Sequence, residues 1–156
     1  MQLSFYSDYA LRLLMRLALD PERMVTIQEV ADAYGISRNH LMKIAYELGQ
    51  HGLILTFRGR KGGLQLGRPA EDISLGEVIR ATEESLALVE CFDAERNTCV
   101  LSPCCQLKGV LQEALQAFLA VLDRYSLADL TRQPELLRAC MMTSVQDSEE
   151  GPSWRP

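Results

Sequence analysis

Two short apolar-periodic segments, one opened by Thr26-Ile27-Gln28-Glu29 and the other by Gly35-Ile36-Ser37, follow one another almost without a gap. This pairing constrains the fold more than any other feature of the chain. Thr26 with Glu29 three residues on is a capping box, in which each side chain satisfies an otherwise orphaned backbone N–H. Ile27, Val30 and Ala31 give that helix its apolar side. Gly35-Ile36-Ser37 reads as a tight turn ending at a second N-cap, Ser37, and the next helix is expected from Arg38 to about Gln50. Leu41, Ile44, Ala45 and Leu48 share one face and must pack inward. Asn39, Lys43, Tyr46 and Gln50 lie opposite, with Arg38 and His40 flanking the first turn. Two short helices around a glycine turn, the second with a polar outer face, form a helix-turn-helix pattern.

The segment after it completes a module. Leu53–Arg58 and Leu64–Leu66 are strand-like, and Gly59-Arg60-Lys61-Gly62-Gly63 between them is a basic, glycine-rich tip. That arrangement is a wing. It is not a phosphate-cradling loop, because no Gly-Lys-Ser/Thr follows and no helix begins there. Asn and Lys side chains can reach base edges, and arginines on a mobile tip can reach phosphates or the minor groove. The candidate DNA-contacting residues are Ser37, Arg38, Asn39, His40 and Lys43 on the helix and Arg58, Arg60 and Lys61 on the wing.

Around this module the rest of the chain reads as helical. A first helix is expected from Ser7, taken as its N-cap, to Leu19, with Asp20-Pro21-Glu22-Arg23 ending it. Another spans Ser74 to about Thr82, with Glu77 closing a second capping box. Ser102-Pro103 looks like a cap followed by proline at the first helical position, opening a long helix to about Tyr125. Leu107, Leu111, Ala114, Leu115, Phe118, Val121 and Leu122 give it an apolar stripe too wide for one small domain to cover, which points to a homodimer. A last helix covers Pro134 to Met142, and the polar tail Ser144–Pro156 is expected to be disordered. The fold class is mainly α: a winged helix-turn-helix over 1–68, then a loop and dimerisation helices over 69–143 in the same unit, and a tail over 144–156.

Charge divides the same way. Residues 1–68 hold nine Lys/Arg against six Asp/Glu, and residues 69–156 hold seven against fifteen, within a formal net charge of −5. The first part can approach phosphate and the second is repelled by it. The opening MQLSFYSDYALRLLMRLAL carries no basic region before its apolar stretch, and Asp8, Arg12 and Arg16 interrupt it. It reads as neither a signal peptide nor a membrane span, so a cytoplasmic setting is expected.

In a reducing setting, five cysteines are metal ligands or redox thiols rather than disulfides. Seven residues separate Cys91 from Cys99 and five separate Cys99 from Cys105. Structural zinc pairs its cysteines more closely, whereas iron–sulphur clusters tolerate wider loops. Cys105 is expected in the first turn of the long helix, where the dipole favours thiolate, and Cys104 shares that advantage. Cys140 stands apart as a small hydrophobe. A fourth ligand has two readings in Asp8: a metal ligand, or a carboxylate placed for the helix dipole. No Cys/His pair sits in a catalytic motif, so an enzyme is not expected.

The stretches SDYALRLL, YGISRNHLMKI, RGRKGGLQLG, DISLGEVIRATE, VECFDAERNTCVLSPCC and LAVLDRYSLADL together resemble the Rrf2 family of winged-helix regulators from about Met1 to Leu130. That resemblance implies an iron–sulphur cluster on Cys91, Cys99 and Cys105, with Asp8 completing the coordination from the partner subunit. It favours 4Fe-4S over 2Fe-2S. SRNHLMKI looks like the nitric-oxide-sensing members, implying a repressor released from operator DNA when its cluster is nitrosylated. VECFDAE looks like the iron-responsive members, which is the alternative signal. Cys104 is an added thiol beside Cys105 and a possible substitute for it.

Overall fold

The structure, a computed structural model, describes residues 2–143, so the expected tail at 144–156 lies outside the described residues. Helices α1 (Phe5–Leu19), α2 (Ile27–Tyr34) and α3 (Arg38–Gln50) are followed by strands β1 (Ile54–Phe57) and β2 (Gly63–Leu66). Then come α4 (Leu75–Thr82), α5 (Gln106–Asp123), α6 (Leu127–Leu130) and α7 (Pro134–Thr143), with short 3-10 turns at Ala70–Asp72 and Glu90–Phe92. The architecture is the expected winged helix-turn-helix.

The central module forms for local reasons. Thr26 and Glu29 make the reciprocal capping box, and Gly35 takes the left-handed conformation (φ 63°) that ends α2. Strands β1 and β2 pair antiparallel from Ile54–Leu66 to Phe57–Gly63. Val25 exchanges both backbone hydrogen bonds with Leu64, at 3.1 and 2.8 Å, which ties the root of the wing to the entry of α2. The core beneath is continuous: Leu13, Leu14 and Leu17 of α1 meet Leu41, Ile44 and Leu48 of α3, with Val30, Leu53, Ile73, Val78 and Leu127 closing it. Leucines so enclosed each contribute about 2–5 kcal/mol when compared with alanine.

Two expected boundaries and one expected capping box differ, each because another residue takes the capping side chain. Helix α1 is capped by Ser4 rather than Ser7. Ser7 is instead fully buried inside the first turn, where its Oγ lies 2.7 Å from Thr82 Oγ1 and also donates to Glu83. Glu83 accepts from Ser4 N at 2.8 Å and Ser4 Oγ at 2.9 Å, so a carboxylate from the end of α4 supplies negative charge to the N-terminus of α1. At α4, Ser74 caps Glu77 N at 3.1 Å, but the Glu77 carboxylate pairs with Arg68 and leaves the second half of the box unmade. Helix α5 begins at Gln106, capped by Cys105. The Ser102 hydroxyl accepts instead from Asn97 Nδ2 at 2.9 Å and is not available as a cap.

Burial works against ionisation of Glu83, but hydrogen bonds from Ser7 and Ser4 outweigh it and hold the carboxyl below its usual value of 4.5. A depressed folded value stabilises the protein above the unfolded value, and that stabilisation is lost as pH falls through the folded one. Glu83→Gln is therefore expected to lower the melting temperature at about pH 7, with a smaller difference from the parent protein at about pH 3. Thermal denaturation followed by circular dichroism at the two pH values checks this.

Helix α5 is anchored at one end only. Arg80 of α4 grips Asp123 with two parallel bonds, Nη1–Oδ1 at 2.7 Å and Nη2–Oδ2 at 2.6 Å. Leu75 N donates to the Tyr125 carbonyl at 2.9 Å, and Leu127 N donates to that of Ile73 at 2.8 Å. Gly76 lets the pair close, since a Cβ there would lie 1.9 Å from Asp123 Oδ1. Along the rest of α5 only Leu119 is buried, while Leu107 and Val110 are each 62% exposed and Val121 is 43% exposed. The expected apolar stripe is therefore open at Leu107 and Val121, while Leu111, Leu115 and Phe118 line a cleft with Leu86 and Leu88. Among the described residues no helix is long and apolar enough to cross a membrane.

Candidate metal centre and nucleic-acid interface

Helix α3 presents its outer face as the sequence implied. Leu41, Ile44 and Leu48 are fully buried and Ala45 is nearly so, leaving Ser37, Arg38, Asn39, His40 and Lys43 exposed. Ser37 makes no side-chain cap bond, contrary to its expected capping role, and its hydroxyl is available to another acceptor or donor. His40 leans back towards α1, its ring 6.5 Å from that of Tyr9, and it shares a cleft with Phe5, Tyr6, Tyr9 and Lys43.

Most arginines of the chain are neutralised in place: Arg12, Arg16, Arg23, Arg68, Arg80, Arg132 and Arg138 all pair with carboxylates. Arg38, Lys43, Arg58, Arg60 and Lys61 are exposed and have no ion pair among the described residues. Unpaired cations on one helix face and one hairpin tip are what a phosphate backbone attracts. The tip itself is sterically defined. Gly59 takes φ 110° and its carbonyl accepts from Gly62 N at 3.0 Å. A Cβ on Gly62 would lie 2.2 Å from the Phe57 carbonyl oxygen and 2.9 Å from Arg58 C, both backbone atoms that cannot swing away. Gly62→Ala is expected to distort the tip and weaken DNA binding while leaving the melting transition nearly in place, which gel shifts and calorimetry on the same sample would read.

The loop from 84 to 105 joins the anchored end of α4 to the free end of α5. Its backbone turns at Glu90–Phe92 and through the bonds Ser102 N to Cys99 O (3.1 Å) and Cys104 N to Leu101 O (3.0 Å). Side chains add Cys99 N to Asn97 Oδ1 (3.1 Å) and Thr98 Oγ1 to Glu90 Oε2 (3.1 Å). All of these bonds lie within the loop, so it can be reshaped without breaking the core. Cys91, Cys99 and Cys105 are half-buried free thiols, whereas Cys104 is exposed and its Sγ points at the Leu101 carbonyl, 3.6 Å away. Cys105 is the cap residue of α5 rather than a member of its first turn.

The four expected ligands do not converge within one chain. Among the described residues no three His, Cys, Asp or Glu side chains stand close enough to hold a metal ion. Asp8 is occupied by Arg12, at 2.8 Å from Nη2 and 3.1 Å from Nε. The donor chemistry nevertheless fits an iron–sulphur cluster: three soft, half-buried thiols on one deformable loop. Sequence patterns alone missed the Ser4–Ser7–Thr82–Glu83 network and the Arg80–Asp123 clasp, both of which need contacts more than 40 residues apart. They placed Tyr46 on the outer face of α3 but passed over the exposure of Met42 beside it. Its spacing of four residues from Tyr46 was the available signal.

Comparison with known proteins agrees with this architecture. The sequence profile of the Rrf2 family, described as an iron-dependent transcriptional regulator, matches residues 3–133. The chain is 52% identical over 142 residues to the HTH-type transcriptional regulator NsrR of Shouchella clausii, covering 90% of this chain and 95% of that protein. It is 54% identical over 136 residues to NsrR of Bacillus subtilis, covering 86% and 93%. Among solved structures, the oxidized form of Staphylococcus aureus CymR superposes with a TM-score of 0.68 at 29% identity, over 83% of this chain and 95% of that one. IscR of T. potens gives 0.67 at 27%, over 85% and 87%. The chain belongs to the Rrf2 family of winged-helix transcriptional regulators, and it is not an enzyme.

Proposed function

We propose that this chain is a homodimeric repressor that binds operator DNA through α3 and the wing and senses nitric oxide through an iron–sulphur cluster. The cluster is held by Cys91, Cys99 and Cys105, with Asp8 completing the set across the dimer. A 4Fe-4S cluster is favoured and 2Fe-2S is the alternative. Residues 1–68 read DNA, and residues 69–143 hold the cluster and the dimer. The observation that carries this reading is the loop of three half-buried thiols, internally bonded, running directly into the free end of α5. Support for nitric oxide as the signal comes from more than 50% identity to regulators named NsrR and from the SRNHLMKI stretch.

When bound, such a cluster supplies iron that reacts with nitric oxide. The chain's own residues would do the rest. Cys91, Cys99 and Cys105 fix the loop, and the loop fixes the N-terminal end of α5. Arg80 and Asp123 lock the other end of α5 to α4, and Glu83 at the end of α4 holds the first turn of α1. Helix α1 packs directly on α3. The loop is thereby connected through rigid elements to the face that meets DNA. Asp8 would have to exchange Arg12 for the metal, so Arg12 is freed whenever Asp8 ligates.

A second reading keeps the fold and the cluster and makes iron or cluster supply the signal; the family's description and the VECFDAE segment favour it. Gel shifts with protein purified without oxygen separate the two. Release by nitric oxide but not by an iron chelator supports the first, and release by the chelator alone supports the second. Unchanged binding under both treatments removes the sensing claim.

A further inference from the structure

Two large apolar side chains stand in water on the face of α3 that ought to be polar. Met42 is 50% exposed and Tyr46 is 68% exposed. They lie four residues apart, so on a helix they form a single ridge. Their neighbours on the same outer face are Asn39 and Lys43, both exposed. Nothing in the helix itself calls for apolar residues here, because Leu41, Ile44, Ala45 and Leu48 already supply its core face. An apolar ridge at the centre of a surface marks a contact.

The charge around the ridge identifies the occupant. Arg38 and Lys43 on α3 and Arg58, Arg60 and Lys61 on the wing are exposed cations without ion pairs among the described residues. A protein surface placed there would have to be strongly acidic, whereas duplex DNA offers the matching phosphates on both sides of a groove. Inside the major groove, the one apolar group on any base edge is the 5-methyl of thymine. We infer that Met42 and Tyr46 are specificity-determining residues that select thymine at two positions of each operator half-site by packing against its methyl group. This inference rests on α3 being the reading helix and adds which bases it selects and by what chemistry. Asn39 and Lys43 then serve the hydrogen-bonding edges beside those thymines.

The test uses an operator selected by the full-length, cluster-loaded protein from a random duplex pool. Each thymine is replaced in turn by deoxyuridine, which removes only the methyl and keeps every hydrogen-bonding group. Replacements at two positions in each half-site are expected to weaken binding of the parent protein by about fourfold each, the effect of removing one buried methyl group. Against Met42→Ala or Tyr46→Ala one of these penalties should vanish, while Met42→Leu, which keeps an apolar contact, should retain it. Both side chains are exposed, so the variants are expected to fold, which circular dichroism checks. If no deoxyuridine replacement weakens binding to a sequence that is still selected, the inference is overturned and the reading role of α3 stands. If sedimentation shows that the alanine variants dissociate the dimer with every deoxyuridine penalty unchanged, the ridge is a protein interface and the inference fails. If no sequence is selected from the pool, the DNA-reading role itself falls and takes the inference with it.

Discussion

Replacing Cys91, Cys99 and Cys105 together by alanine is expected to give a folded but colourless protein whose operator affinity nitric oxide no longer changes. The fold should survive because none of the three belongs to the buried core, which is built by α1, α3 and the residues packed on them. The loop that carries them is held by hydrogen bonds internal to itself. The response should disappear because no other cysteine is placed to take over. Cys104 is exposed, with its thiol turned to the Leu101 carbonyl, and Cys140 is far along the chain on α7. Cys104→Ala is accordingly expected to keep both colour and response. Visible absorption, iron and sulphide content, and a melting curve check the two variants together. A brown triple variant would mean that the ligands lie elsewhere.

The second large effect is expected at the wing. Arg58, Arg60 and Lys61 are exposed and unpaired among the described residues, so each is available to one phosphate. Converting all three to alanine removes about six phosphate contacts from the dimer, so it should weaken operator binding by more than about a hundredfold at about 0.15 M salt and reduce the slope of log affinity against log salt by roughly 5.4. A change in affinity without a change in slope would assign the three residues to base reading instead of phosphate contact. Arg16, already paired with Asp20 at 2.6 Å, is the internal comparison: its replacement should leave the salt slope unchanged.

The parts of the fold that were legible in the sequence are those written in neighbouring residues. The Thr26–Glu29 box, the left-handed Gly35 and the apolar spacing of α3 fix the helix-turn-helix, and Arg38–Gln50 falls where its periodicity places it. The hairpin is equally local, with strands on either side of a glycine-rich tip. What escaped was decided by side-chain partners that periodicity does not show, some distant and some near. Ser7 has a good capping side chain, but Glu83, 76 residues away, engages it and makes Ser4 the cap. Ser102 and Pro103 make a plausible helix start, but Asn97 takes the serine hydroxyl and α5 waits until Gln106. The short helix α6 has no counterpart among the expected helices, of which the long one ends near Tyr125 and the next begins at Pro134, though Ser126 and Asp129 form a full capping box there.

The candidate site was legible in a different sense. Cysteine spacing pointed to the candidate donors without separating Cys104 from Cys105, and charge pointed to the candidate DNA face. Neither shows how the donors meet, because the chain taken alone keeps Asp8 on Arg12 and the three thiols apart. A loop bonded only to itself takes its final shape from what it binds. The apolar face of α5, open at Leu107 and Val110, likewise takes its cover from outside the chain.

Fluorescence anisotropy of labelled operator, recorded without oxygen for cluster-loaded and cluster-free protein side by side, tests the central claim most directly. The account predicts that loaded protein binds at least about tenfold more tightly, a difference of about 1.4 kcal/mol carried from the loop to α3. Equal dissociation constants for the two forms would contradict it.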